Sequence, residues 1–141
     1  MQIEQWMTRK VHCAKPLDSI NHARELMATH RVNQLPVVVD GRVVGIVTDR
    51  DLRDAFPSVF ERTMEGVRKP PKGADPNAIT VQLVMTENVL TLAPKDTVAE
   101  AARRMRQERI GALPVVENGR LVGILARSDL LDALVALAER A

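Results

Sequence analysis

Leu35-Pro36-Val37-Val38-Val39-Asp40-Gly41-Arg42-Val43-Val44-Gly45-Ile46-Val47-Thr48-Asp49-Arg50-Asp51 decides how the chain is read, because it occurs twice. Its second copy is Leu113-Pro114-Val115-Val116-Glu117-Asn118-Gly119-Arg120-Leu121-Val122-Gly123-Ile124-Leu125-Ala126-Arg127-Ser128-Asp129, 78 residues later. The correspondence runs without a gap from position 7 to 55 against 85 to 133, and 21 of those 49 pairs are identical. Both copies open on Met-Thr, at Met7-Thr8 and Met85-Thr86, and both carry Pro-x-Asp, at Pro16-Leu17-Asp18 and Pro94-Lys95-Asp96. The chain is a duplicated unit of about 50 residues, and a repeat of that kind sets the architecture before any local propensity does.

Each unit reads as β-α-β-β-α. A short extended piece comes first, Lys10 to Ala14 in one copy and Asn88 to Leu92 in the other. A helix follows. Thr97-x-x-Glu100 has the form of a capping box, and Val98, Ala101, Ala102 and Met105 recur at helical spacing. The first copy matches with Ile20, Ala23, Leu26 and Met27, capped by Asp18 or Ser19. Two β-branched runs then flank Asp40-Gly41 and Asn118-Gly119, dipeptides that supply the positive φ angles a two-residue hairpin needs. A second helix starts near Asp51 and near Asp129.

Between the units, Lys69-Pro70-Pro71-Lys72-Gly73-Ala74-Asp75-Pro76 carries prolines and a glycine that exclude a regular element. The expected organisation is repeat one at 1–58, a linker at 59–78 and repeat two at 79–141, ending in a helix. A short amphipathic lead precedes each repeat, Ile3 to Met7 and Ile79 to Met85. One unit alone is too small for a good core. The expected fold is therefore α+β, with two units packed by pseudo-twofold symmetry.

Composition narrows the function classes. The 141 residues are 45% hydrophobic and 27% charged, which fits a folded chain. Aromatics are only 2%, which argues against platforms that stack bases. No apolar run is long enough for a membrane span, and the first ten residues lack the pattern of a secretory signal. The single cysteine, Cys13, cannot form an intrachain disulfide or a paired-cysteine zinc site. A cytoplasmic location is the expectation. The net charge is +2, and Arg103, Arg104, Arg106 and Arg109 read as a solvated helix face. His12, His22 and His30 have no helical metal spacing, and His22 pairs with Glu100 in the repeat alignment, an exposed position. Cys13 reads as a small buried residue, since its neighbour His12 points to the opposite face of a strand. There is no Walker loop, no Gly-x-Gly-x-x-Gly and no nucleophile elbow.

With the Met-Thr opening, the Leu-Pro-Val-Val strand, the hairpin and Gly45-Ile46-Val47-Thr48-Asp49-Arg50-Asp51 in place, each unit resembles a CBS domain. The chain resembles a tandem CBS pair, or Bateman module. The stretch from Gly45 to Asp51 fits that family's Gly-x-x-Thr/Ser-x-x-Asp nucleotide signature. The resemblance implies a sensor rather than a catalyst, with no cofactor. Its ligand would be AMP, ADP, ATP or S-adenosylmethionine, held in the cleft between repeats. It implies that Asp51 accepts hydrogen bonds from ribose hydroxyls and that Thr48 donates to a phosphate oxygen. Arg50 and Arg53 are close enough in sequence to add charge. The backbone of Lys10, Val11 and His12, with Leu35, Pro36 and Val37, would frame the adenine. The corresponding set in repeat two is Val89, Thr91, Pro114, Val115, Arg127, Ser128 and Asp129. There Ala126 stands where the hydroxyl should be, Ser128 is displaced, and Arg127 offers charge instead, so the second site is expected to be weaker or empty.

Thr48-x-x-Asp51 is also a capping box in its own right, and a cap and an anion site can share one helix end. Three functions remain open at this point. The first is a regulatory module that binds an adenine nucleotide and signals to another protein. The second is a nucleic-acid binder, suggested by the arginine stretch. The third is a structural dimerisation module with empty clefts. A homodimer is expected through Leu130, Leu131, Leu134, Val135, Leu137 and Ala138, with Leu52 to Phe56 as the repeat-one counterpart.

Overall fold

The computed structural model describes residues 1–55, 75 and 77–140. The chain folds as two compact units, one of Met1–Val11, Gly41–Val43 and Leu90–Ala141, the other of His12–Asp40 and Val44–Val89. The linker expected at 59–78 lies mostly outside the described residues, as does Phe56.

In the unit that carries repeat one, helix α1 spans Ile20–His30. Its cap is Ser19, whose hydroxyl accepts the His22 N–H at 3.0 Å. Asp18 has a different task. Its carboxylate accepts the Lys15 N–H at 2.8 Å and pins the loop before the helix. Strands β1 (Gln34–Val39) and β2 (Arg42–Thr48) form a two-stranded sheet, and α2 follows at Asp49–Ala55. The expected first strand reduces to one parallel bridge, Ala14 to Val37.

Repeat two follows the same order. Helix α4 spans Val98–Glu108, β3 Ala112–Glu117, β4 Arg120–Ala126 and α5 Arg127–Glu139. Asp96 pins the Ala93 N–H at 2.8 Å, as Asp18 does in its repeat. Strands β3 and β4 pair antiparallel with Glu117 opposite Arg120, and the register slips by one residue after Val115. Leu92 bridges to Val115 in place of a first strand. The turn residues adopt φ of 51° and 80° at Asp40-Gly41, and 52° and 80° at Asn118-Gly119, the left-handed pair that suits a right-twisted hairpin.

The leads are exchanged. The second lead, including α3 (Val81–Val84), packs on repeat one: Ile79 O accepts from Ile20 N–H at 2.9 Å, Val81 N–H donates to Asp18 O at 2.8 Å, and Val81 is fully buried. Thr86 and Ile46 exchange two backbone hydrogen bonds. The first lead, with a 3-10 turn at Ile3–Gln5, packs on repeat two. Ile3 N–H donates to Asp96 O, Met1 O accepts from Val98 N–H, and Thr8 exchanges two bonds with Ile124.

Each unit thus closes one aliphatic core. Ile20, Leu35, Val37, Val47, Leu52 and Val81 form the first; Ile3, Met7, Leu92, Leu113, Val115 and Leu125 form the second. Full burial contributes about 1.5–3 kcal/mol per large aliphatic side chain.

Two expectations are corrected here. Leu52 is 1% exposed and belongs to the core, so it is no interface residue. Its side chain turns inward because α2 has only one face on which to bury against α1 and α3. The Thr97 capping box is only half made. Thr97 accepts the Glu100 N–H at 3.1 Å, but the Glu100 carboxylate turns to Arg103 at 3.0 Å and Arg104 at 3.3 Å. The Arg103 hydrogen bond and charge hold that carboxyl below its ordinary pKa, with Arg104 adding to the effect.

Candidate functional site

Strand β2 runs straight into α2, and β4 into α5, so each repeat delivers its motif to a strand-to-helix junction. In repeat one the junction is a reciprocal box. Asp51 Oδ2 accepts the Thr48 N–H at 2.9 Å, and Thr48 Oγ1 accepts the Asp51 N–H at 3.1 Å. Both side chains are half-buried. The Asp49 N–H donates to Asn33 O at 2.9 Å, which ties the start of α2 to the loop after α1. Asp51 Oδ1 accepts no hydrogen bond among the described residues, and the Thr48 hydroxyl still has a proton to donate. Capping therefore uses half of what the pair offers and leaves one acceptor and one donor.

Repeat two departs as its sequence requires. Asp129 Oδ2 accepts the Ala126 N–H at 2.8 Å, but Ala126 has no oxygen to return the bond. The Thr8 hydroxyl comes from the first lead instead and donates to Asp129 Oδ1 at 3.3 Å. Arg127 N–H donates to Gly111 O at 3.1 Å, and the Arg127 guanidinium lies along Gly111. Arg127 and Ser128 are exposed, and Asp129 is half-buried.

The signature glycines have a packing reason. A Cβ on Gly45 would stand 2.5 Å from Met85 Sδ and 3.0 Å from Thr86 O. One on Gly123 would stand 2.7 Å from Met7 Sδ and 3.1 Å from Thr8 O. Each glycine admits the Met-Thr of a lead against the strand.

The remaining candidates divide by unit. His12, Leu35, Pro36, Val37, Thr48, Arg50, Asp51 and Val89 share one. Lys10, Val11, Thr91, Pro114, Val115, Arg127, Ser128 and Asp129 share the other. Leu35, Pro36, Val37, Pro114 and Val115 are buried, so what they can show a ligand is backbone. The carbonyls of Pro36 and Pro114 already accept the Ala14 and Leu92 N–H groups at 2.9 Å each. Lys10 and Arg50 are exposed. The His12 ring stacks on His30, centroids 3.5 Å apart and planes within 9°, a pairing invisible in their spacing. Cys13 is half-buried rather than buried, and desolvation pushes its thiol pKa up. Among the described residues no three His, Cys, Asp or Glu side chains gather as a metal site, and no helix is long and apolar enough to cross a membrane.

Thr8 is the residue that sequence reasoning missed. Met7-Thr8 and Met85-Thr86 were visible as a repeated pair, but a contact across 121 positions leaves no local trace.

The sequence matches the CBS domain twice, over residues 3–58 and 81–136. The chain belongs to the CBS domain family, as a tandem pair. A CBS domain-containing protein of Dictyostelium discoideum is 34% identical over 144 residues, covering 97% of this chain and 93% of the relative. Among solved structures, CBSX2 in complex with AMP is similar with a TM-score of 0.77 at 27% identity, covering 97% of this chain and 98% of the other. The CBS domain pair of protein MJ0100, in complex with 5-methylthioadenosine and S-adenosyl-L-methionine, is similar with a TM-score of 0.78 at 25% identity and the same coverage.

Proposed function

We propose that the chain is a regulatory, non-catalytic module that binds an adenine nucleotide of the AMP, ADP or ATP class and passes the signal to a partner protein. The supporting observation is the Thr48–Asp51 pair, whose carboxylate is oriented by a backbone N–H while Oδ1 remains open. A carboxylate oxygen so held accepts a ribose hydroxyl, and the Thr48 proton suits a phosphate oxygen. The AMP bound to CBSX2 supports the ligand class. The S-adenosyl-L-methionine of the MJ0100 pair makes that compound the competitor to test. The nucleic-acid reading loses ground, because the Glu100 carboxylate pairs with both Arg103 and Arg104 and offsets part of the charge of that stretch.

Mass spectrometry of small molecules released from the purified protein, followed by thermal shift with AMP, ADP, ATP and S-adenosylmethionine, tests the proposal. Ligand at about 100 times its Kd adds about 2.7 kcal/mol to stability. Asp51→Ala should lose most of that gain. A variant that binds as well as wild type removes Asp51 from the site, and no shift with any nucleotide leaves the structural dimerisation reading.

A second copy of the chain is the expected partner of α5. Leu131, Leu134, Val135 and Leu137 are between 54% and 61% exposed. A groove of about 660 Å³ between α4 and α5, lined by Val98, Ala99, Ala102, Leu130, Leu134 and Leu137, continues that apolar face. An apolar strip of this length on one helix is uncommon on a monomer.

A further inference from the structure

We infer that Thr8 is a positioning residue for Asp129, doing for repeat two through the first lead what Thr48 does for repeat one within its own motif. The inference rests on the nucleotide reading above for its functional consequence, and on geometry alone for its structural part. In repeat one, hydroxyl and carboxylate stand three residues apart and each satisfies the other's backbone N–H, at 3.1 and 2.9 Å. In repeat two the carboxylate keeps its backbone bond at 2.8 Å, but the position of the hydroxyl holds Ala126. One bond leaves a carboxylate free to rotate about it. The Thr8 hydroxyl supplies the second point, at 3.3 Å to Oδ1.

The lead is placed to do this. Thr8 exchanges two backbone hydrogen bonds of 2.9 Å with Ile124, two residues before Ala126. Met7 beside it fills the space over Gly123. The asymmetry is informative. Thr86, the repeat-one counterpart of Thr8, makes the same backbone exchange with Ile46, yet its hydroxyl has no hydrogen bond to Asp51 among the described residues. The lead threonine is used where the motif hydroxyl is missing and idle where it is present. Each carboxylate oxygen has two lone pairs, so Asp129 Oδ1 can hold Thr8 and still accept a ribose hydroxyl.

The test has two arms in the full-length protein. The first needs no ligand: amide hydrogen exchange at Ala126, whose N–H is bound by Asp129. Thr8→Val should speed it severalfold and Thr8→Ser should not. Thr86→Val should leave exchange at Thr48 unchanged. The second arm titrates AMP into Asp51→Ala protein, which isolates the Asp129 site. There Thr8→Val should weaken binding about 3- to 10-fold, the range for one hydrogen bond. Thr8→Ser should stay near the parent, and Ala126→Thr added to Thr8→Val should restore affinity. Unchanged exchange at Ala126 in Thr8→Val overturns the inference, whatever binds. Unchanged or tighter AMP binding in Thr8→Val overturns it too, since a tighter site would mean that Thr8 blocks Asp129. A protein that binds AMP at neither aspartate sinks the nucleotide reading instead, and the exchange arm still decides whether Thr8 holds Asp129.

Discussion

A methyl group is enough to disturb the seat of either lead on its strand. Gly45→Ala would drive its Cβ against Met85 Sδ and the Thr86 carbonyl, 2.5 and 3.0 Å away. The thioether can swing aside, but the carbonyl is held by its bond from Ile46 N–H. Overpacking of this kind costs about 1–3 kcal/mol, and urea denaturation should show a lower midpoint with an unchanged slope. The glycine of the signature was legible in the sequence as part of a motif. Its reason was not, because the atoms it avoids lie 40 residues away in Met85. Cys13 gives a second prediction at this scale. Its thiol pKa is raised by burial, so the folded state favours the protonated form. Stability is complete below the ordinary thiol pKa and falls as pH rises past it, because the unfolded chain ionises first. Chemical denaturation at rising pH should show that fall, and Cys13→Ser should remove its share. A thiol that reacts with a disulfide reagent as fast in the native protein as in the unfolded one would contradict it.

Helix ends carry the next set of expectations. Both first helices of the repeats close on an arginine in the left-handed region, Arg31 and Arg109, each at φ 55°. A non-glycine residue pays about 1–2 kcal/mol there, against about 0.5–1 kcal/mol of chain entropy for glycine. Arg109→Gly should therefore gain about 0.5–1 kcal/mol in denaturant unfolding, and a loss would mean that the arginine side chain does something the backbone does not reveal. At the start of α2, Thr48→Val removes one half of the reciprocal box and should cost about 1 kcal/mol. Turns and caps were the most legible parts of this fold. Asp40-Gly41, Asn118-Gly119, Ser19 and Thr97 act where their chemistry says they should. Glu100 escaped because Arg103 and Arg104, one turn on, compete for its carboxylate. The exchange of the leads escaped because Ile3 and Met7 present the same apolar pattern as Val81 and Met85, and identical patterns cannot say which core each will enter.

For the whole molecule, α5 makes the boldest claim on assembly. Sedimentation should find a dimer at tens of micromolar (order of magnitude for a stable interface), and Leu134→Glu should shift it to monomer while keeping the fold. The central claim concerns the two aspartates. Asp51 has a motif hydroxyl beside it and an open oxygen; Asp129 depends on a distant threonine across a longer bond. The most direct measurement is calorimetric titration of AMP into wild type, Asp51→Ala and Asp129→Ala. One tight site per chain should appear in wild type, persist in Asp129→Ala and vanish in Asp51→Ala, leaving binding roughly tenfold weaker or more. Two equivalent sites, or a single tight site that survives Asp51→Ala and disappears with Asp129→Ala, would contradict the account.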